Sequence, residues 1–170
     1  MQPVLGYLFL LAPPLLLMGF IFWLGTDRAS TDVTRGLLAQ LLERLFPALY
    51  SGLSREELVT LNVVVRKAGH FTGYALLGLL DARAIGGLDA RGESLEARSA
   101  GEGRRGTSRV ERAALGAWAA AAGWAAVDEF HQSFSPSRGA SVEDVALDAA
   151  GAALGVGIYW LWISRRSRNG

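Results

Sequence analysis

AALGAWAAAAGWAAVDEFHQ, residues Ala113–Gln132, is the stretch that decides the fold. Its first 15 residues, Ala113–Val127, carry no charge. As a helix they rise about 22 Å at 1.5 Å per residue. Crossing ~30 Å of hydrocarbon then requires Asp128 and Glu129 to be carried into, or right up to, the interface. Ionisable groups at membrane depth are costly and are usually kept for a purpose. The stretch therefore predicts a membrane helix whose end carries chemistry.

Three further segments have membrane length. Val4–Leu24 is uncharged over 21 residues, with Pro13 and Pro14 in the middle as an expected kink. A secretory signal peptide is the rival reading; it lacks a basic n-region and a small-residue cleavage site after Leu24. Ala68–Ile85 brings His70 and Asp81 within membrane reach, and Glu143–Ile163 carries Asp144 and Asp148 in its first two turns. Tyr159, Trp160 and Trp162 form an aromatic belt at the other end of that last segment. The expected fold class is all-α: a polytopic membrane helix bundle with four transmembrane helices, spanning about 4–24, 68–85, 112–130 and 143–163 of a single domain.

Composition agrees with blocks of apolar sequence separated by polar loops. The 170 residues are 51% hydrophobic and 19% charged, with a mean hydropathy of +0.24. Soluble domains average about 25% charged residues. The net charge of +1 points to neither nucleic acid nor an acidic partner. The absence of cysteine excludes disulfides, thiolate metal sites and cysteine nucleophiles. No phosphate-binding glycine loop, HExxH or GxSxG is present. His70 and His131 lack a recognised ligand spacing, so neither a metal nor a cofactor is expected.

The loops differ in kind. Gly87–Gly106 is rich in Gly, Ser, Arg and Glu without hydrophobic period, and reads as a flexible linker. In the loop Gly25–Val65, Leu37, Leu38, Leu41, Leu42, Leu45 and Phe46 repeat at helical spacing until Pro47. Ser54 with Glu57 then makes a capping box for a second short helix running toward Arg66. One or two interfacial helices are expected here; a soluble extracytoplasmic hairpin is the alternative. Charge sets the orientation. Ten arginines lie between the second and third spans or after the fourth, against seven basic residues in the other loops. The tail Arg165, Arg166 and Arg168 directly follows a span, so both termini are expected in the cytoplasm of a bacterial inner-membrane protein.

Three helical stripes then meet at the outer ends of their spans. Arg66, His70 and Tyr74 fall at i, i+4, i+8 with Lys67 beside them; Asp128 and Gln132 are an i, i+4 pair next to Glu129; Asp144, Asp148, Gly151 and Gly155 share a third stripe. Two adjacent acids at a membrane edge repel each other and need partners, so Lys67 is expected to pair with Asp128 or Glu129, and Arg138 to help balance them. Each residue also has a structural reading. Arg66 and Lys67 can anchor a helix end, His70 and Tyr74 can satisfy interhelical hydrogen bonds, and GxxxG at Gly151 and Gly155 can pack helices closely. His131 is read as an interfacial bystander.

At these residues the chain resembles the VanZ-like family of small bacterial membrane proteins. RKAGHFTGY, Arg66–Tyr74, is similar to that family's RKxxHFxxY; DEFHQSFSPSR and SVEDVALDAAGAALG are similar to its DExxQxxxPxR and SxxDxxxNxxGxxxG. Departures are Gly73 where glutamate is common, Ser137 where glycine is common, and Asp148 where asparagine or aspartate occurs. The resemblance implies a helical membrane protein, and the namesake is associated with reduced susceptibility to the glycopeptide teicoplanin. The expected function is an extracytoplasmic polar pocket that binds a membrane lipid, cell-wall precursor or lipophilic glycopeptide. Its expected ligand-binding residues are Lys67, His70, Tyr74, Asp128, Glu129, Gln132, Arg138, Asp144 and Asp148. Alternatives are an intramembrane enzyme with His70, Asp128 or Glu129 as acid–base groups, and a non-catalytic partner subunit.

Overall fold

The computed structural model describes residues 2–26, 31–100, 107–134 and 141–168. Among them every regular element is an α-helix: α1 Gln2–Leu24, α2 Thr31–Leu45, α3 Pro47–Gly52, α4 Arg55–Ala100, α5 Thr107–Gln132 and α6 Val142–Arg168.

Pro13 and Pro14 lie inside α1 without ending it. Proline at position 13 removes the hydrogen bond that the Phe9 carbonyl would accept. Arg83 of α4 points its Nη1 at that carbonyl, 3.5 Å away. Most of the α1 surface faces outward, with Leu8, Phe9, Leu15, Leu16 and Phe20 all exposed.

The first loop folds much as its periodicity predicts, with one difference. α2 carries Leu37, Leu41 and Leu45 exposed along one ridge, and Phe46 and Leu49 continue the apolar surface. Pro47 opens α3, a position where its missing N–H is harmless. The capping box forms reciprocally: Ser54 N–H donates to Glu57 Oε2 at 2.8 Å, and Glu57 N–H donates to Ser54 Oγ at 3.2 Å. These bonds favour the ionised Glu57 and hold its pKa below the usual carboxylate value. The helix they start does not stop near Arg66. It runs on as α4 through 46 residues, roughly 69 Å at 1.5 Å per residue.

α4 also overturns the expected linker. The chain is helical from Gly87 through Ala100, and only 101–106 of that stretch fall outside the described residues. Leu88, Ala90, Glu93, Leu95, Glu96 and Ala97 are strong helix formers, and they outweigh the ~1 kcal/mol that Gly92 costs. Polar composition without amphipathic period does not prevent a helix when the residues are good helix formers.

The long helices alternate in direction. α1 runs antiparallel to α4, with Leu10 beside Gly87 and Ile21 beside Gly73. α5 is also antiparallel to α4, with Tyr74 against Asp128 and Ile85 against Gly116. α6 runs parallel to α4, from Lys67 and Asp144 at one end to Gly86 and Tyr159 at the other. The α4–α6 contact is the most extensive in the bundle. It is built on glycine. A methyl group at Gly151 would overlap the Phe71 carbonyl, one at Gly155 the Ala75 carbonyl, and one at Gly78 the Ala152 carbonyl. Only hydrogen at those positions lets the backbones approach this closely.

The interior is small and partly polar, and the exterior is apolar. Ala117, Ala121 and Ala125 form a buried stripe on α5 and pack with Tyr74, Leu77, Ala82, Ala152 and Val156. Beyond them lie the buried Asp128, Glu129, Gln132 and Asp148. Outside, large apolar residues such as Leu76, Leu115, Leu154, Ile158 and Leu161 are exposed. Soluble domains rarely expose apolar surface so extensively. Two helices, over Leu5–Leu24 and Val142–Arg166, are long and apolar enough to cross a membrane. α4 and α5 do not meet that measure: the apolar run of α5 is short and alanine-rich, and that of α4 is bounded by Arg66 and Lys67 on one side and Asp81 and Arg83 on the other, with His70 inside it.

Candidate functional site

The parallel packing of α4 and α6 brings their first stripes into register. Lys67 Nζ donates to Asp144 Oδ1, an ion pair at the rim of the bundle. One turn deeper, His70 Nδ1 lies 3.2 Å from Asp148 Oδ2. Asp148 is 1% exposed and His70 is half-buried, so this pair is shielded where the first is wet. Asp144 pushes the Lys67 pKa upward, because the ammonium gains a hydrogen bond and a neighbouring charge. Burial lowers the pKa of Arg66, against the opposing pull of Asp144 and Glu129.

The third side comes from α5. Asp128, 1% exposed, accepts from Gln132 Nε2 at 2.9 Å, its own i+4 neighbour. The Tyr74 hydroxyl approaches the same Oδ2 at 3.5 Å. Glu129 turns the other way and accepts the Ser141 N–H at 2.8 Å, which fixes the start of α6. Ser141 in turn caps that helix, its hydroxyl accepting from Asp144 N–H at 3.3 Å.

Eight of the nine residues expected at the site therefore lie in one layer at one end of the bundle: Lys67, His70, Tyr74, Asp128, Glu129, Gln132, Asp144 and Asp148. Arg138 lies outside the described residues. The pairing differs from expectation. Lys67 meets Asp144, not Asp128 or Glu129, because α4 lies along α6 more closely than along α5. Asp128 receives only neutral donors among these contacts.

His131 corrects a second expectation. Its ring stacks on Phe22 of α1 with centroids 4.0 Å apart, and its Nδ1 is buried without a partner. Trp124, seven residues earlier on the same face of α5, is 6.0 Å from Phe22. Spacing could have found this pair, since 124, 128 and 131 share one helical stripe. The alanines around Trp124 hid it. No group of three or more His, Asp or Glu residues with metal-binding geometry occurs among the described residues.

Layer, stripes and glycine contacts coincide with the two blocks on which the family resemblance rests. Comparison with curated proteins and with solved structures gave no match. The family model described as VanZ/LLP1 matches residues 8–163, nearly the whole chain. The chain belongs to the VanZ/LLP1 family.

Proposed function

We propose that this protein crosses the bacterial inner membrane four times, through α1, the middle of α4, α5 and α6. Both termini are cytoplasmic, and the polar layer at the outer end binds the headgroup of an envelope lipid, a cell-wall precursor or a lipophilic glycopeptide. The observation that carries this reading is the inverted distribution of polarity. Asp128, Glu129, Gln132 and Asp148 are buried at one end of a bundle whose outside is apolar. Buried ionisable groups inside a lipid-facing bundle mark substrate or ion sites by default. The alternating helix directions supply the up-and-down path that four spans need. Family membership supports an envelope or glycopeptide-resistance role.

In this reading Asp144 and Asp148 orient Lys67 and His70, which meet an anionic part of the ligand together with Arg138. α2 and α3 lie on the outer surface with Leu37, Leu41 and Leu45 toward lipid. One observation favours an enzymatic variant of the same site. Asp148 fixes His70 through Nδ1 and leaves Nε2 as the nitrogen that would move a proton, the arrangement of an oriented general base. His70→Gln would then abolish turnover while ligand binding persisted.

The test measures two quantities on the same variants. Asp128→Asn, Glu129→Gln and Arg138→Ala should each weaken activity in a teicoplanin-susceptibility or envelope-stress assay while membrane abundance stays at the parental level. Substitutions in the stretch 92–105 should change neither. Loss of activity in proportion to loss of protein would reduce the layer to a structural device and remove the basis for a binding site.

A further inference from the structure

Three buried polar atoms on one stripe of α5 lack a hydrogen-bond partner: Trp124 Nε1, Asp128 Oδ1 and His131 Nδ1. The residues fall at i, i+4 and i+7, so they share a face. That face meets the end of α1. Phe22 lies against both Trp124 and His131. Gly25 covers Asp128 so closely that a Cβ there would come within 2.9 Å of Oδ1. Leaving a buried polar group unsatisfied costs about 1–3 kcal/mol, and more if it is charged. Three on one seam call for an occupant.

Charge indicates its nature. Among the described residues Lys67 pairs with Asp144 and His70 with Asp148. Among the described residues Asp128 accepts hydrogen bonds from the Tyr74 hydroxyl and the Gln132 amide, both on Oδ2. Its bare Oδ1 belongs to a residue only 1% exposed and lies under Gly25, where low polarity strengthens attraction to a positive charge. Beside it, the Trp124 N–H is a donor only, and the imidazole can donate from Nδ1 in one tautomer. Acceptor and donors on one stripe match a group that carries both an ammonium and an oxygen. α1 packs more on α4 than on α5, so the α1–α5 seam is the looser of its two contacts.

We infer that the α1–α5 seam binds a primary ammonium, with Asp128 Oδ1 as its acceptor and Trp124 and His131 holding an adjacent phosphate or carboxylate oxygen. This rests on the binding role proposed above and names the ligand class for it. Two sources share the chemistry, an aminophospholipid headgroup and a small free amine. A quaternary ammonium lacks the N–H that Oδ1 would accept, and an anionic glycerol headgroup lacks the charge.

The test is native mass spectrometry of the full chain after exchange into mixed micelles of phosphatidylethanolamine, phosphatidylcholine or phosphatidylglycerol, with free ethanolamine as a soluble arm. Phosphatidylethanolamine should be retained about tenfold over the other two, the discrimination expected when a charge-assisted hydrogen bond is lost. Asp128→Asn should abolish that preference. Trp124→Phe, which keeps the ring and removes the donor, should weaken retention several-fold with the fold intact. Competition by ethanolamine would assign the site to a free amine, and lack of competition to the lipid; either supports the inference. Preference for phosphatidylglycerol, or ethanolamine-lipid retention unchanged in both variants, would overturn it. In that event, anionic-lipid binding that depends on Lys67 would leave the broader binding role standing, whereas no retained lipid of any class would remove both.

Discussion

Gly155→Leu is expected to remove nearly all folded protein from the membrane. A side chain at 155 would occupy the space of the Ala75 carbonyl and the Leu79 nitrogen. Both are backbone atoms in the middle of α4, so nothing can rotate aside; the helices must separate. Overpacking a tight contact costs about 1–3 kcal/mol, and a leucine placed against backbone lies at or beyond the upper end. The damage would spread, because the Lys67–Asp144 and His70–Asp148 pairs lie farther along the same interface. Gly157→Ala is the matched control. Nothing lies within 4 Å of a Cβ there, and alanine is the better helix former. Thermal stability and size-exclusion profile of solubilised protein read both. Equal behaviour of the two variants would mean that α4 and α6 do not pack through Gly155.

The second large effect is expected at Asp148. Asp148→Leu strips His70 of its partner inside the bundle, and a buried group left unsatisfied costs about 1–3 kcal/mol. Asp148→Asn keeps an oxygen that can accept from His70 and should hold most of the stability. The resemblance points the same way, since asparagine occurs at this position in relatives. A double-mutant cycle with His70→Phe separates the pair from the individual losses. With His70 already removed, Asp148→Leu should cost markedly less than it does alone. Additive losses would show that the two side chains do not act together.

Much of this was legible in the sequence, for identifiable reasons. Spacing fixed the three stripes, because a helix places i, i+4 and i+7 on one face whatever surrounds it. The Ser54–Glu57 box marked the start of α4 through strictly local bonds. Partner choice was not legible. Lys67 could reach several acids, and which one it meets depends on how closely α4 approaches α6, a distance set by glycines whose role only the packed helices reveal. The length of α4 was missed for a different reason: polarity and helix propensity are separate properties, and the stretch 87–100 is both polar and helix-forming. The orphan Phe9 carbonyl was implied by Pro13, but nothing in the sequence singled out Arg83 as the group that answers it. The Trp124–Asp128–His131 stripe was missed, with His131 read as a bystander; Phe22 and Gly25, which cover it, lie at the end of α1 and could not be assigned to it from spacing.

The central claim is that the buried polar layer lies at the outer face of a four-span bundle. Cysteine accessibility tests it most directly, because the chain has no cysteine of its own to confuse labelling. Ser51→Cys and Ser135→Cys should react with a membrane-impermeant maleimide added to intact cells, while Ser99→Cys and a cysteine at Ser167 should react only after the membrane is opened. Labelling of position 99 or 167 from outside, or protection of both 51 and 135, would contradict the account.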